Sequence, residues 1–123
     1  MTQDFERLQL AIEKYYHRNK GIMDTLSKFN VSVAKTQRAV IKTATQCGCT
    51  EIFVTKQPPG LEGEAESMLI GRICPSCREI LEKNLGDTLF YLLSLIQLTG
   101  SDFDLLVKSQ LHQTEWLGKF NLK

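Results

Sequence analysis

The chain has no apolar stretch long enough to cross a membrane. Its first residues, Met1 to Arg7, are too polar to read as a secretory signal. It has no internal repeat and no low-complexity segment. A charge bias is missing too: 15 Lys and Arg against 14 Asp and Glu leave a net +1. That balance weighs against a generic polyanion binder, which is normally basic overall, and makes nucleic acid an unexpected partner. What remains is the expectation of one cytoplasmic domain over residues 1–123, long enough to bury a core. Thiols stay reduced in that compartment, so four cysteines read as metal ligands before they read as disulfides.

One local absence is sharper. From Thr25 through Thr50 there is no Asp or Glu, while Lys28, Lys35, Arg38 and Lys42 are all cationic. Positions 28, 35 and 42 are seven apart and 38 lies between the last two, so they form a basic strip on one side of a helix. The strip is either a solvated face or a surface for phosphates or an acidic partner; in the second case Lys35, Arg38 and Lys42 are its contact residues.

Periodicity predicts four helices. Phe5, Leu8, Ile12 and Tyr15 give the first, over residues 2–19. Leu26, Phe29, Val33, Val40, Ile41 and Ala44 give the second, from Asp24 or Thr25 to about Gln46. The third, Arg78 to Leu98, carries Leu81, Leu85, Leu89, Leu92 and Ile96 on one stripe. Gly100 reads as its C-terminal stop, and Ser101 with Asp104 as a capping box for the fourth. Glu51 to Lys56 is β-prone, and residues 61–71, with Glu62, Glu64 and Glu66, read as a loop with a helical turn or a small strand. The fold class expected is all-α, a four-helix bundle with a small excursion between helices 2 and 3.

That excursion carries the strongest motif. Cys47-Gly48-Cys49 and Cys74-Pro75-Ser76-Cys77 are separated by 24 residues. Knuckles of this kind curl the backbone so that paired thiolates converge, and four soft thiolates in a tetrahedron suit Zn²⁺. Residues 47–77 are therefore expected to be a zinc-bound insertion. With four cysteines the metal has no open position, so the zinc would be structural. No thioredoxin-like βαβ pattern surrounds the C-x-x-C, which argues against a redox role.

The third helix also carries an acid, Asp87, on a side shared with Asn84 and Tyr91. Among Ile80 and Leu95 it is expected to be hydrogen-bonded at an edge, to a cation of helix 2, or to be a site carboxylate. Glu79 and Glu82 read as a solvated first turn.

The run Asn84-Leu-Gly-Asp87-Thr-Leu-Phe-Tyr-Leu-Leu93 resembles a helix of the MazG-like branch of the all-α nucleoside triphosphate pyrophosphohydrolases, which reads close to E-L-G-D-V-L-F-Y-L. Leu98-Thr-Gly-Ser-Asp-Phe-Asp104 is similar to that family's L-G-x-D-x-D entry to its last helix. The resemblance implies cleavage of a nucleotide between its α and β phosphates, with Mg²⁺ held by an ExxE…ExxD set. Asp87 matches the final Asp and would be the catalytic acid. Asn84 stands where the family has Glu, and helix 2 has no carboxylate. The implied function is nucleotide binding, with Lys35, Arg38, Lys42 and Asn84 at the phosphates, or weak hydrolysis by a degenerate metal site. The alternative is a non-catalytic zinc module that binds a partner protein or nucleic acid. The resemblance also implies a homo-oligomer, dimeric or larger.

Overall fold

Residues 3–17, 21–53 and 68–118 are described by a computed structural model. They form α1 (Gln3–Ala11), α2 (Ile22–Lys42), a hairpin of β1 (Thr50–Ile52) and β2 (Leu69–Gly71), α3 (Pro75–Leu98) and α4 (Phe103–Leu117). The four helices occur where the 3.6-residue period predicts them; Cys47, Cys49 and Cys74 lie between α2 and α3, and Cys77 lies in the first turn of α3. The loop glutamates Glu62, Glu64 and Glu66 lie outside the described residues. No single helix among the described residues is long and apolar enough to cross a membrane.

Helix ends show where the local chemistry acts. α1 and α2 each close in a π-helical turn, Ile12–Tyr16 and Thr43–Cys47. The second turn is sealed by the Gly48 N–H donating to the Thr43 carbonyl at 2.9 Å, and Gly48 adopts a left-handed φ of 82°. α3 begins at Pro75, whose fixed φ and missing N–H suit the first helical position. Gly100, at φ 71°, ends it, with the Ser101 N–H donating to the Ile96 carbonyl at 3.0 Å. The cap of α4 is Asp102, one residue beyond the expected Ser101; its carboxylate accepts from the Leu105 N–H at 3.1 Å.

The chain divides into two compact units, Met1–Ser27 with Phe90–Lys123, and Lys28–Leu89. In the first, the Phe5 and Phe103 rings lie 4.8 Å apart. The Gln97 side-chain amide donates to the Gln9 carbonyl at 2.8 Å. Tyr16 and Thr25 share a hydroxyl contact of 2.9 Å, and Tyr16 stands edge-on to Phe90 at 5.1 Å. Ile12 and Leu93 are the fully buried apolar side chains here.

In the second unit α2 meets α3 through hydroxyls. Thr36 Oγ1 and Thr88 Oγ1 are 3.1 Å apart, while each also approaches a carbonyl of its own helix, Ser32 O at 2.9 Å and Asn84 O at 2.8 Å. Two protons are available for three contacts, so at most two of them are hydrogen bonds at once. Ala39 and Leu81 are the buried apolar residues, joined by Ser32, Thr43 and Thr50. The hairpin is antiparallel, with Thr50 opposite Gly71, Glu51 opposite Ile70 and Ile52 opposite Leu69.

Across the described residues only Ile12, Ala39, Leu81 and Leu93 form a buried apolar core. Of the stripe expected to be core on α3, Leu81 is buried, but Leu85, Leu89 and Leu92 are 48%, 45% and 41% exposed. Periodicity identified residues that share a face; it did not identify what covers that face.

Candidate metal centre

The two knuckles are built by the ends of two helices. Cys47 closes the π turn that follows α2, Gly48 reverses the chain, and Cys49 leads into β1. On the other side β2 delivers the chain to Cys74, which immediately precedes Pro75, and Cys77 sits in the first turn of α3. The Arg78 N–H donates to the Cys74 carbonyl at 2.9 Å, fixing that turn. A helix N-terminus favours negative charge, so it suits a pair of thiolates.

The four Sγ atoms all lie within 4.8 Å of one another. Cys47 Sγ and Cys74 Sγ are 3.7 Å apart, and none of the four cysteines is in a disulfide. A Zn–S bond of ~2.3 Å in a regular tetrahedron places its sulfurs about 3.8 Å apart. A disulfide would need ~2.05 Å. The donor set and its spacing therefore fit a tetrahedral, thiolate-loving ion. All four positions would be filled by protein, which leaves none for water or substrate.

The thiols perturb one another's ionisation. Cys74 is lowered to about 7, first by the backbone N–H of Cys77 and then by the Cys77 and Cys47 thiols. Cys77 is pushed up to about 12, chiefly because its own thiol hydrogen-bonds Cys74. Cys47 is raised for the same reason. One thiolate is thus held by its neighbours' protons; a bound cation would replace those protons.

Three features that sequence reasoning missed hold the knuckles in place. Thr43 and Thr50 are buried, and their hydroxyls are 2.6 Å apart. Thr43 also donates to the Val40 carbonyl at 2.6 Å, so Thr50 must supply the proton between them. This bond clips the end of α2 to β1 across the Cys47–Cys49 turn. Gly71 is the second feature. Its φ is 101°, and a Cβ there would lie 2.8 Å from the Cys49 carbonyl oxygen. A glycine inside a β-prone run is the signal that could have revealed this close approach. The third is Met68, a non-glycine residue at φ 64°. Its carbonyl accepts from the Phe53 N–H at 2.8 Å and extends the hairpin by one rung.

The other expected site residues do not join the cysteines. Asp87 is not deeply buried: its carboxylate is 46% exposed and pairs with Lys83 at 3.1 Å, one turn earlier on α3 and not on α2. Asn84 gives its amide to the Ile80 carbonyl at 3.0 Å. Lys35, Arg38 and Lys42 are exposed on α2 and make no ion pair among the described residues. No second group of three or more His, Cys, Asp or Glu side chains converges among the described residues, so Asp87 has no carboxylate companions there. A cavity of about 680 Å³ in this unit borders the hairpin, lined by Ile41, Ala44, Thr45, Thr50, Ile52 and Phe53 with Glu51.

Against known proteins, the chain matches no family model, no curated protein and no solved structure.

Proposed function

We propose that the chain is a MazG-like helical domain braced by one structural zinc ion on Cys47, Cys49, Cys74 and Cys77. We further propose that it binds a nucleoside triphosphate through the cations of α2 and hydrolyses it at most weakly. The zinc would tie the end of α2 to the start of α3, and so hold the basic helix beside the helix that bears Asp87. The MazG-like part rests on the Asn84–Leu93 motif.

One observation carries the binding role over catalysis: the contrast in charge within Lys28–Leu89. Lys35, Arg38 and Lys42 stand exposed without an ion pair among the described residues. The one acid that matches the family set, Asp87, is already balanced by Lys83. A hard cation such as Mg²⁺ needs several carboxylate oxygens, and phosphates can instead be neutralised directly by Lys and Arg. The near-neutral net charge favours a small polyphosphate over nucleic acid.

The test is metal analysis, calorimetry with nucleoside triphosphates, and a pyrophosphate-release assay on the purified chain. About one zinc per chain is expected, with saturable binding weakened at least about tenfold in Lys35→Ala/Arg38→Ala. Rapid pyrophosphate release abolished by Asp87→Ala would overturn the degenerate-site reading. A stably folded, metal-free chain with four reactive thiols would overturn the brace. No binding at millimolar nucleotide would overturn the phosphate role of the strip.

A further inference from the structure

Among the four sulfur ligands one is set apart by access. Cys47 is exposed, whereas Cys49, Cys74 and Cys77 are half-buried. Cys49 is also pinned. A Cβ at Gly71 would lie 2.8 Å from its carbonyl oxygen, and the next residue, Thr50, is buried with its hydroxyl on Thr43. Cys47 has more room: it is followed by Gly48, where an added Cβ would meet nothing within 4 Å. Its Sγ is 3.7 Å from that of Cys74. The two sulfurs belong to different knuckles, one at the end of the π turn after α2 and the other just before α3. An accessible thiolate with a second thiolate beside it to resolve the oxidised sulfur is the arrangement that separates an oxidant-responsive cysteine from an inert one.

We infer that Cys47 and Cys74 are a peroxide-reactive pair, whose oxidation to a disulfide expels the zinc. The inference rests on the zinc reading above and is independent of the nucleotide one. The Cys47 thiolate attacks one oxygen of hydrogen peroxide. The O–O bond breaks, Cys47 becomes a sulfenic acid, and the second oxygen leaves as hydroxide. The Cys74 thiolate then attacks the Cys47 sulfur; an S–S bond forms, the S–O bond breaks, and a second hydroxide leaves. Two protons from solvent convert both hydroxides to water. The sulfur pair gives up two electrons, the peroxide takes both, and the zinc keeps its charge. The metal is left with two of four thiolates, too few for a closed tetrahedral site. The sulfurs must close from 3.7 Å to a bond of ~2.05 Å, and the open side of the Gly48 turn permits that shift. The C-x-x-C pair offers no comparable entry, since Cys74 and Cys77 are both half-buried. Oxidation would thus keep the end of α2 joined to the start of α3 by a single covalent tether, while Cys49 and Cys77 lose their shared ion.

The test is titration of the whole zinc-loaded chain with hydrogen peroxide. Released zinc is read with a chromophoric indicator, and disulfides are located by fragmentation mass spectrometry of the digested chain. One zinc should leave per disulfide, the disulfide should join Cys47 to Cys74, and the chain should become about 2 Da lighter as two thiols become one disulfide. Dithiothreitol with added zinc should restore both mass and metal. Cys47→His leaves a three-cysteine, one-histidine set that zinc accepts, and should slow release at least about tenfold. Release from that variant at the native rate overturns the inference. So does a zinc-loaded chain that keeps its metal in millimolar peroxide, which leaves the brace standing. A chain that holds no zinc before peroxide is added overturns the brace and this inference together. Should the histidine variant take up no zinc, the disulfide map of the native chain decides: Cys47 joined to Cys74 supports the pair, and any other pairing overturns it.

Discussion

Gly71→Ala probes the metal centre without touching a ligand. At φ 101° an alanine is in a conformation that L residues avoid, at about 1–2 kcal/mol. Its Cβ would also lie 2.8 Å from the Cys49 carbonyl oxygen, with the Thr50 Cα at 3.4 Å. Both neighbours are backbone, so relief requires the Cys49 peptide to move, and Cys49 is one of the four sulfur ligands. Another ~1–2 kcal/mol for that displacement brings the total to about 2–4 kcal/mol. At 1.4 kcal/mol per decade, zinc affinity should fall roughly 30- to 700-fold. Competition against a chromophoric chelator reads this directly, and thermal unfolding with and without zinc reads it a second way. Gly48→Ala is the control: its φ of 82° is also left-handed, but an added Cβ meets nothing within 4 Å. It should weaken zinc by only about fivefold, from ~1 kcal/mol of backbone strain. If Gly71→Ala binds zinc within threefold of the native chain, the close approach to Cys49 does not position the ligand.

Thr43→Val keeps the shape of a fully buried side chain but leaves the Thr50 hydroxyl without its acceptor. It should cost about 1–3 kcal/mol in urea unfolding of the zinc-loaded chain. Asp102→Ala removes the carboxylate that caps α4 and should cost about 1 kcal/mol in the same assay, with zinc affinity unchanged. Zinc binding should strengthen as pH rises. Cys77, pushed up to about 12, and Cys47, raised above its ordinary value, both hold protons at neutral pH that the metal must displace. With at least those two protons released, affinity should change on the order of 100-fold per pH unit between pH 6 and 8; chelator competition across that range checks it, and a flat profile would exclude thiols as the ligands.

The helices and the cysteine cluster were legible in the sequence because each depends on short-range information. Pro75 marks the start of a helix by its own geometry, Gly100 marks an end, and two closely spaced cysteine pairs limit where their sulfurs can go. The environment of Asp87 was not legible in the same way. Its helical angle put it beside Ile80 and Leu95, yet Lys83, one turn back on the same helix, is within reach, and a half-exposed carboxylate takes the nearest flexible cation. The hydroxyl contacts of Thr36 with Thr88 and of Thr43 with Thr50 join residues far apart or across a turn. No periodicity encodes them, since Thr reads as polar whether it is solvated or buried. The exposure of Leu85, Leu89 and Leu92 was hidden for a related reason: an apolar stripe looks the same whether its cover comes from the same chain or from another.

The π turn at Thr43–Cys47 gives the metal centre a register. An α-helix rotates each residue by ~100°, and a π turn holds one residue more than the α turn it replaces. Along α2, Ser32, Ala39 and Thr43 all keep to the buried face, so the helix arrives at the hairpin already committed in angle. The wider turn absorbs the extra residue, so both the upstream helix and the downstream knuckle keep their angles, and it is at this point that the chain changes from packing a helix to presenting a sulfur. Deleting Ala44 or Thr45 would return the turn to α geometry with Cys47 still facing Cys74, whereas inserting one residue between Thr43 and Cys47 would swing Cys47 by about a quarter turn away from Cys74. Spacing upstream of the first cysteine is therefore as much a part of the metal site as the four thiols.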